Sequence, residues 1–264
     1  MNTKERELVA LLKTMREKYG VLGVKAEFEA EGTRMPELLR LKDVSSKAGG
    51  ILALKIGGPE DVWGIEQAMD VGVDEIVAPM VEGSYALKKF MDAFKKVVNE
   101  DEREDTVAAV NVETAQTYGN IDALIETGVK NGLHGVTVGR VDLIGSMGLK
   151  RDSINSPKVF KITESICRKA KAAGLRTVVG GGIEKESFDF IRKLTEANLI
   201  DRFETRKIIF DAKVAASDQK KYEDGVRDAH RFDDMWLHNK QGHYSKIAGE
   251  DKANFEKLAK RIAS

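Results

Sequence analysis

Two carboxylates in this 264-residue chain stand where chemistry can be done. Glu113 ends the run Thr106 to Thr114 (TVAAVNVET), and Asp142 follows the strand-like part of His134 to Gly148 (HGVTVGRVDLIGSMG). β-Branched runs of this kind read as buried strands, and an acid just past each of two of them falls on one face of an α/β barrel. Carboxylate oxygens there suit a hard divalent cation, Mg²⁺ or Mn²⁺, that keeps positions open for a substrate's oxygens. The same face receives Glu27, Glu29 and Glu31 with Arg34, then Lys55, Glu82, Arg140, and Glu204 with Arg206. Charged residues at strand ends are mostly solvated loop starts, so Glu113 and Asp142 carry the reading. Lys55 is the cation placed to bind a substrate carboxylate. Arg206, beside Glu204, either points into the site or forms an internal ion pair.

The elements that must position these groups alternate along the chain. Leu8, Leu11, Leu12 and Met15 at helical spacing mark an amphipathic helix within 1–20. Strands are expected at Val21 to Glu29, Ile51 to Ile56, Asp74 to Met80, the run ending at Glu113, the run ending at Arg140, Arg176 to Val179, and Arg202 to Phe210. Helical patterns lie between them, which predicts right-handed βαβ units and a parallel sheet. The whole is read as a (β/α)8 TIM-type barrel, one domain over 1–264, with an N-terminal helix (1–20) and a C-terminal helical tail (212–264) at a subunit interface. Seven strands are evident and an eighth is not. The tail from Lys220 to Ile247 is polar with isolated aromatics, and is read as packing across a subunit boundary or as a mobile lid. Lys252 to Ile262 carries the stripe of an amphipathic helix.

Composition narrows the class. With 42% hydrophobic residues the chain can build a core, and 43 basic against 43 acidic residues leave no excess charge for nucleic acid or an anionic membrane. No stretch approaches the roughly 20 apolar residues of a membrane span, and the charged N-terminus lacks the core of a signal peptide. The single Cys167 rules out an intrachain disulfide framework and fits a reducing, cytoplasmic location. His134 opens a strand on the face opposite Glu113 and reads as structural, while the spacing of His230, His238 and His243 does not fit a closed zinc site. Gly180-Gly181-Gly182 either lets backbone amides approach a phosphate or only turns the chain.

Three segments, DEIVAPMVE from Asp74, VNVET with Asn120-Ile121-Asp122, and VGRVDLIGSMG from Val138, resemble successive motifs of the HpcH/HpaI aldolase and citrate lyase β family, within the phosphoenolpyruvate/pyruvate barrel superfamily. The resemblance spans roughly Val24 to Gly182. It implies Glu113 and Asp142 as ligands of Mg²⁺, Mn²⁺ or a similar ion, and the backbone amides near Gly139 and Arg140 as neighbours of the substrate carboxylate. It implies a carbon–carbon lyase or aldolase acting on a small 2-oxo acid through a pyruvate-like enolate, in a homo-oligomer, a hexamer or smaller ring, whose C-terminal helices exchange between neighbours. Two departures qualify it. Lys55 stands where the family has an Arg, keeping the charge but not the bidentate fork. Glu27-Phe28-Glu29-Ala30 stands where the family has an acid and a Glu-His pair, so Ala30 replaces the proton-transferring His. Glu27 or Glu29 then either acts as the base or merely orients basic neighbours. Another enolate reaction, such as a condensation or a phosphoenolpyruvate-directed transfer, and a non-catalytic binding barrel are the alternatives.

Overall fold

The β-branched runs do form strands, and each turns alternate residues toward the barrel axis and toward the surrounding helices. The structure, a computed structural model, describes residues 1–262. In chain order the elements are α1 (Thr3–Tyr19), β1 (Val21–Glu27), α2 (Met35–Lys47), β2 (Ile51–Lys55), α3 (Val62–Val71), β3 (Glu75–Ala78), α4 (Ser84–Val97) and β4 (Val107–Val112). There follow α5 (Ala115–Gly119), α6 (Ile121–Asn131), β5 (Gly135–Gly139), α7 (Arg140–Ser146), α8 (Pro157–Ala172), β6 (Arg176–Gly180) and α9 (Phe188–Glu196). The chain finishes with β7 (Arg202–Glu204), β8 (Ile208–Asp211), α10 (Ala212–Ala215) and α11 (Gln219–Ile262). Strands β1 to β7 pair in parallel in sequence order, and β8 closes the ring antiparallel to both β7 and β1.

The eighth strand lay inside the segment expected as one strand. Arg202 to Phe210 is a hairpin: β7 ends at Glu204, Thr205 to Lys207 form the turn, and β8 returns with Glu204 opposite Ile209. Its apolar residues sit on both sides of a three-residue polar turn too short to break the hydrophobic pattern, so the reversal is hidden in the sequence. Asp142, just past β5, lies in the first turn of α7.

Outward-facing Val24, Ala26, Leu52, Leu54, Val110, Val112, Val136 and Val138 are all fully buried beneath the helices. Inward positions differ with height. Glu75, Arg176 and Arg202 open their strands, and Glu75 pairs with Arg176 at 2.5 Å and Arg202 at 3.2 Å, which fills the floor with charge-assisted contacts. Small Ala53 and Ala109 follow, and the polar residues stand at the mouth. At the floor side His134 is structural as expected, its Nδ1 accepting the Ala108 N–H at 2.9 Å.

The tail also differs from expectation. It is one helix of 44 residues, and its aromatics are not isolated: Tyr222, Val226, Ala229, Phe232 and Trp236 form a buried stripe at helical spacing. That stripe packs within the chain, where α1 contributes Leu8, Leu12 and Met15 and Asn2 donates to Asn239. Beyond Tyr244 the helix is exposed, with Ile247, Phe255, Leu258 and Ile262 uncovered. Among the described residues no helix is long and apolar enough to cross a membrane.

At Gly23 β2 leaves no room for a side chain on β1: an added Cβ would stand 2.1 Å from the Ile51 carbonyl oxygen. Gly23→Ala is therefore expected to lower the stability of the fold by about 2 kcal/mol, read from urea denaturation. An unchanged midpoint would show that the strands part freely at this point.

Candidate active site

A cavity of about 340 Å³ opens at the strands' C-terminal ends, lined by side chains from β1, β2, β4, β5 and β7 and by the Gly180 to Gly182 run. Alternation explains its membership. Lys25 and Glu27, Asn111 and Glu113, and Thr137 and Gly139 are pairs two residues apart, so each pair points inward from its strand.

Its charged groups fall into a paired set and an unpaired set. Lys25 Nζ lies 2.6 Å from Glu204 and 3.2 Å from Glu27, whose other oxygen lies 3.0 Å from Lys55 Nζ. Burial opposes both charges, but the pairing outweighs it: Glu204 and Glu27 hold the Lys25 ammonium above the ordinary lysine range, and the two lysines hold Glu27 below the ordinary carboxylate range. Glu113 is in the opposite condition. It is 1% exposed, and burial raises its pKa although the Met80 N–H, Lys55 and Asn111 pull the other way. Its Oε1 accepts the Met80 N–H at 2.9 Å and its Oε2 accepts from Asn111 Nδ2 at 2.8 Å, with no cation among the described residues in ion-pair contact. Met80 takes φ +53°, left-handed backbone that a methionine adopts only when held there, and the result is an amide aimed at this carboxylate. Gly139 leaves room for it, since a Cβ there would lie 2.7 Å from Glu113 Oε2. Asp142 stands exposed in the first turn of α7, near enough to Glu113 to raise its pKa further.

The expected site residues thus separate. Glu113, Asp142, Lys55, Glu27 and Gly139 meet in one cavity, with Ala30 on its wall. Glu29 does not; it lines a neighbouring cleft with Phe28, Trp63 and Tyr85. The depressed Glu27, shared between two ammonium groups, is a weak base, which favours the orienting role. The Arg140 side chain turns away from the cavity. It is fully buried, stacks on the Phe190 ring at 4.5 Å, and donates to the carbonyls of Gly180, Gly181 and Gly182 and to Asn155 Oδ1. A Cβ on Gly181 would stand 2.9 Å from Arg140 N and 2.7 Å from Val141 N, so only a glycine packs against the backbone at the start of α7. Arg206 lines the cavity but is clamped by Asp233 of α11 at 2.7 and 2.6 Å, the internal ion pair of the two readings. The carbonyls of the glycine run are taken up by Arg140.

Lys25, Asn111, Met80, Asp233 and Arg151 were not singled out in the sequence. Lys25 and Asn111 carried a signal, each lying two residues before a chosen acid on the same strand. Arg151, on a loop, carried none. For a divalent cation the donor set is the two carboxylates, since no cluster of three or more His, Cys, Asp or Glu is found among the described residues. Two carboxylates with open positions fit Mg²⁺ or Mn²⁺, and each Glu113 oxygen keeps a lone pair after its hydrogen bond.

Opposite pH behaviour follows for the two glutamates. The depressed Glu27 contributes stability above the ordinary glutamate pKa and loses it as pH falls through its lowered folded value. Glu27→Gln is expected to cost roughly 3 kcal/mol at neutral pH, with the gap to wild type narrowing in acid. The raised Glu113 works against the metal-free fold at neutral pH, because the folded state would bind the proton more tightly; Glu113→Gln should not lower stability there. Urea denaturation across a pH series reads both, and a Glu27→Gln deficit that stays constant into acid would contradict the pairing.

Comparison with known proteins places this architecture. An HpcH/HpaI aldolase from Desulfitobacterium hafniense DCB-2 superposes with TM-score 0.63 at 14% identity, over 77% of this chain and 82% of that one. An HpcH/HpaI aldolase/citrate lyase family protein from Burkholderia cenocepacia J2315 gives 0.61 at 15% identity, over 92% and 90%. The citrate synthase SbnG gives 0.58 at 14%, over 89% and 90%. At these identities the structures speak for the fold. No curated protein sequence matches. The model of the HpcH/HpaI aldolase/citrate lyase family matches residues 33–188, more than half of the chain, and the protein belongs to that family.

Proposed function

We propose that the protein is a divalent-metal-dependent carbon–carbon lyase or aldolase that takes a small 2-oxo acid through a pyruvate-like enolate. The observation that carries this is the buried Glu113 carboxylate, held without a cation beside exposed Asp142 in a cavity whose other carboxylates are already paired. A bound Mg²⁺ or Mn²⁺ would supply the Lewis acid that spreads the negative charge of the enolate. The chain's own groups do the rest. Lys55, fixed by Glu27, presents an ammonium near Glu113 where an enolate oxygen gathers charge. The backbone from Gly139 to Val141, at the cavity wall, receives the substrate carboxylate. Ala30 leaves space in place of an imidazole, so water admitted there carries the proton. That missing imidazole also favours a second reading, a condensation, and a structure of like fold bears the name citrate synthase.

The reading extends to assembly. The uncovered half of α11, with Ile247, Phe255, Leu258 and Ile262 on it, docks on a neighbouring copy, giving a homo-oligomer of up to six subunits in the cytoplasm. Removal of residues 246–264 should then lower the mass seen in sedimentation; an unchanged mass would refute the arm.

Calorimetric titration of pyruvate or oxalate into metal-free protein tests the site. Binding is expected only with Mg²⁺ or Mn²⁺, and Glu113→Ala should weaken it by at least about a hundredfold. Equal binding without metal, or by the variant, would overturn the proposal.

A further inference from the structure

Glu29, which the catalytic cavity does not take up, stands in a separate cleft of about 570 Å³ between the loops after β1 and β2 and the first turns of α3 and α4. Three aromatic residues line it: Phe28 and Trp63, whose ring centroids lie 5.8 Å apart, and Tyr85. Trp63 is 59% exposed and Tyr85 75%, so two large rings are left to solvent at one place. Apolar surface concentrated in this way on the rim of a concave site is surface a ligand can cover.

The cleft is also acidic. Glu29, Glu60 and Asp61 line it against a single cation, Lys89. Lys89 is spent on Glu60, at 2.7 Å. Asp61 caps α3, its oxygens accepting the Gly57 N–H at 2.7 Å and the Gly64 N–H at 2.8 Å. The Glu29 carboxylate has neither a hydrogen bond nor an ion pair with any described residue. Its Oε1 lies along the wall at Gly57, where an added Cβ would stand 2.9 Å away. Among the described residues these acids do not converge as a metal site. What the cleft presents is aromatic surface and one carboxylate without a counter-charge.

We infer that this cleft binds a small organic cation of the quaternary-ammonium class, with Phe28, Trp63 and Tyr85 around its alkyl groups and the Glu29 carboxylate as its counter-charge. The face of an aromatic ring attracts a cation, tryptophan most strongly, and the attraction grows when water is displaced. A primary ammonium brings three N–H donors to a cleft with one free carboxylate, and leaves donors unsatisfied if it sheds its water. A quaternary ammonium has no N–H to satisfy, and its methyl groups gain by leaving water for the rings. The cleft shares no lining residue with the catalytic cavity, although Glu29 and Ala30, one on each, are neighbours in the loop after β1. The inference therefore does not depend on the metal reading of Glu113 and Asp142.

The test is calorimetric titration of choline into the metal-free protein at constant ionic strength, beside ethanolamine, its primary-ammonium counterpart, and 3,3-dimethyl-1-butanol, its uncharged isostere. Choline should bind roughly tenfold tighter than either. Trp63→Leu and Glu29→Gln both change exposed side chains, so the fold should tolerate them. They should weaken choline binding by about tenfold and about threefold respectively. An isostere or an ethanolamine that binds as tightly as choline would overturn the inference, the first by reducing the cleft to an apolar groove and the second by removing the preference for alkylated nitrogen. Choline affinity unchanged in either variant, or no choline binding to the wild type, would overturn it as well.

Discussion

Closure of the sheet is the constraint on which the rest of this structure depends. Seven parallel strands leave two open edges, and unpaired backbone groups along buried edges are costly. β8 resolves both at once by running antiparallel between β7 and β1. The reversal needs only the turn Thr205 to Lys207, and that turn lands at the mouth. Arg206 in it is held by Asp233 of α11, and Lys207 is buried against Glu31 of the loop after β1. The strand that ends the barrel therefore also ties the long C-terminal helix to the loop beside Ala30.

Closure also brings Lys25 and Glu204 together, 179 residues apart in the chain. Their contact anchors a row of alternating charges, Glu204, Lys25, Glu27 and Lys55, across the mouth. A row like this holds together because each charge is matched, and it fixes the position of Lys55 at its end. The groups left over are Glu113, Asp142 and Arg151. The division separates what organises the cavity from what remains free to meet a ligand, and the metal reading follows from it.

The protein belongs to the HpcH/HpaI aldolase/citrate lyase family, and the sequence resemblance reads Glu113 and Asp142 as that family's two acids. Around them Lys55 is held by Glu27, and Ala30 lies on the cavity wall. The same scaffold can thus carry a modified reaction, since function on this fold is written in the residues at the strand ends.

Local pattern alone determined a good deal. β-Branched runs separated by helical stripes specify strands and helices, and a period of two places Glu113 at the mouth while Val112 faces the helices. The sequence could also have revealed Lys25 and Asn111, by that same period, and the stripe from Tyr222 to Trp236. What it could not contain was direction and pairing. Nothing near Arg140 says that its side chain turns onto the Gly180 to Gly182 carbonyls rather than into the cavity. Nothing near Glu29 sends it to a neighbouring cleft, and nothing near Arg206 names Asp233 as its partner. The hairpin within Arg202 to Phe210 was hidden because its apolar residues serve two strands. Periodicity is a property of residues close in the chain, whereas the charge on a glutamate or the freedom of an arginine depends on what ring closure sets beside it.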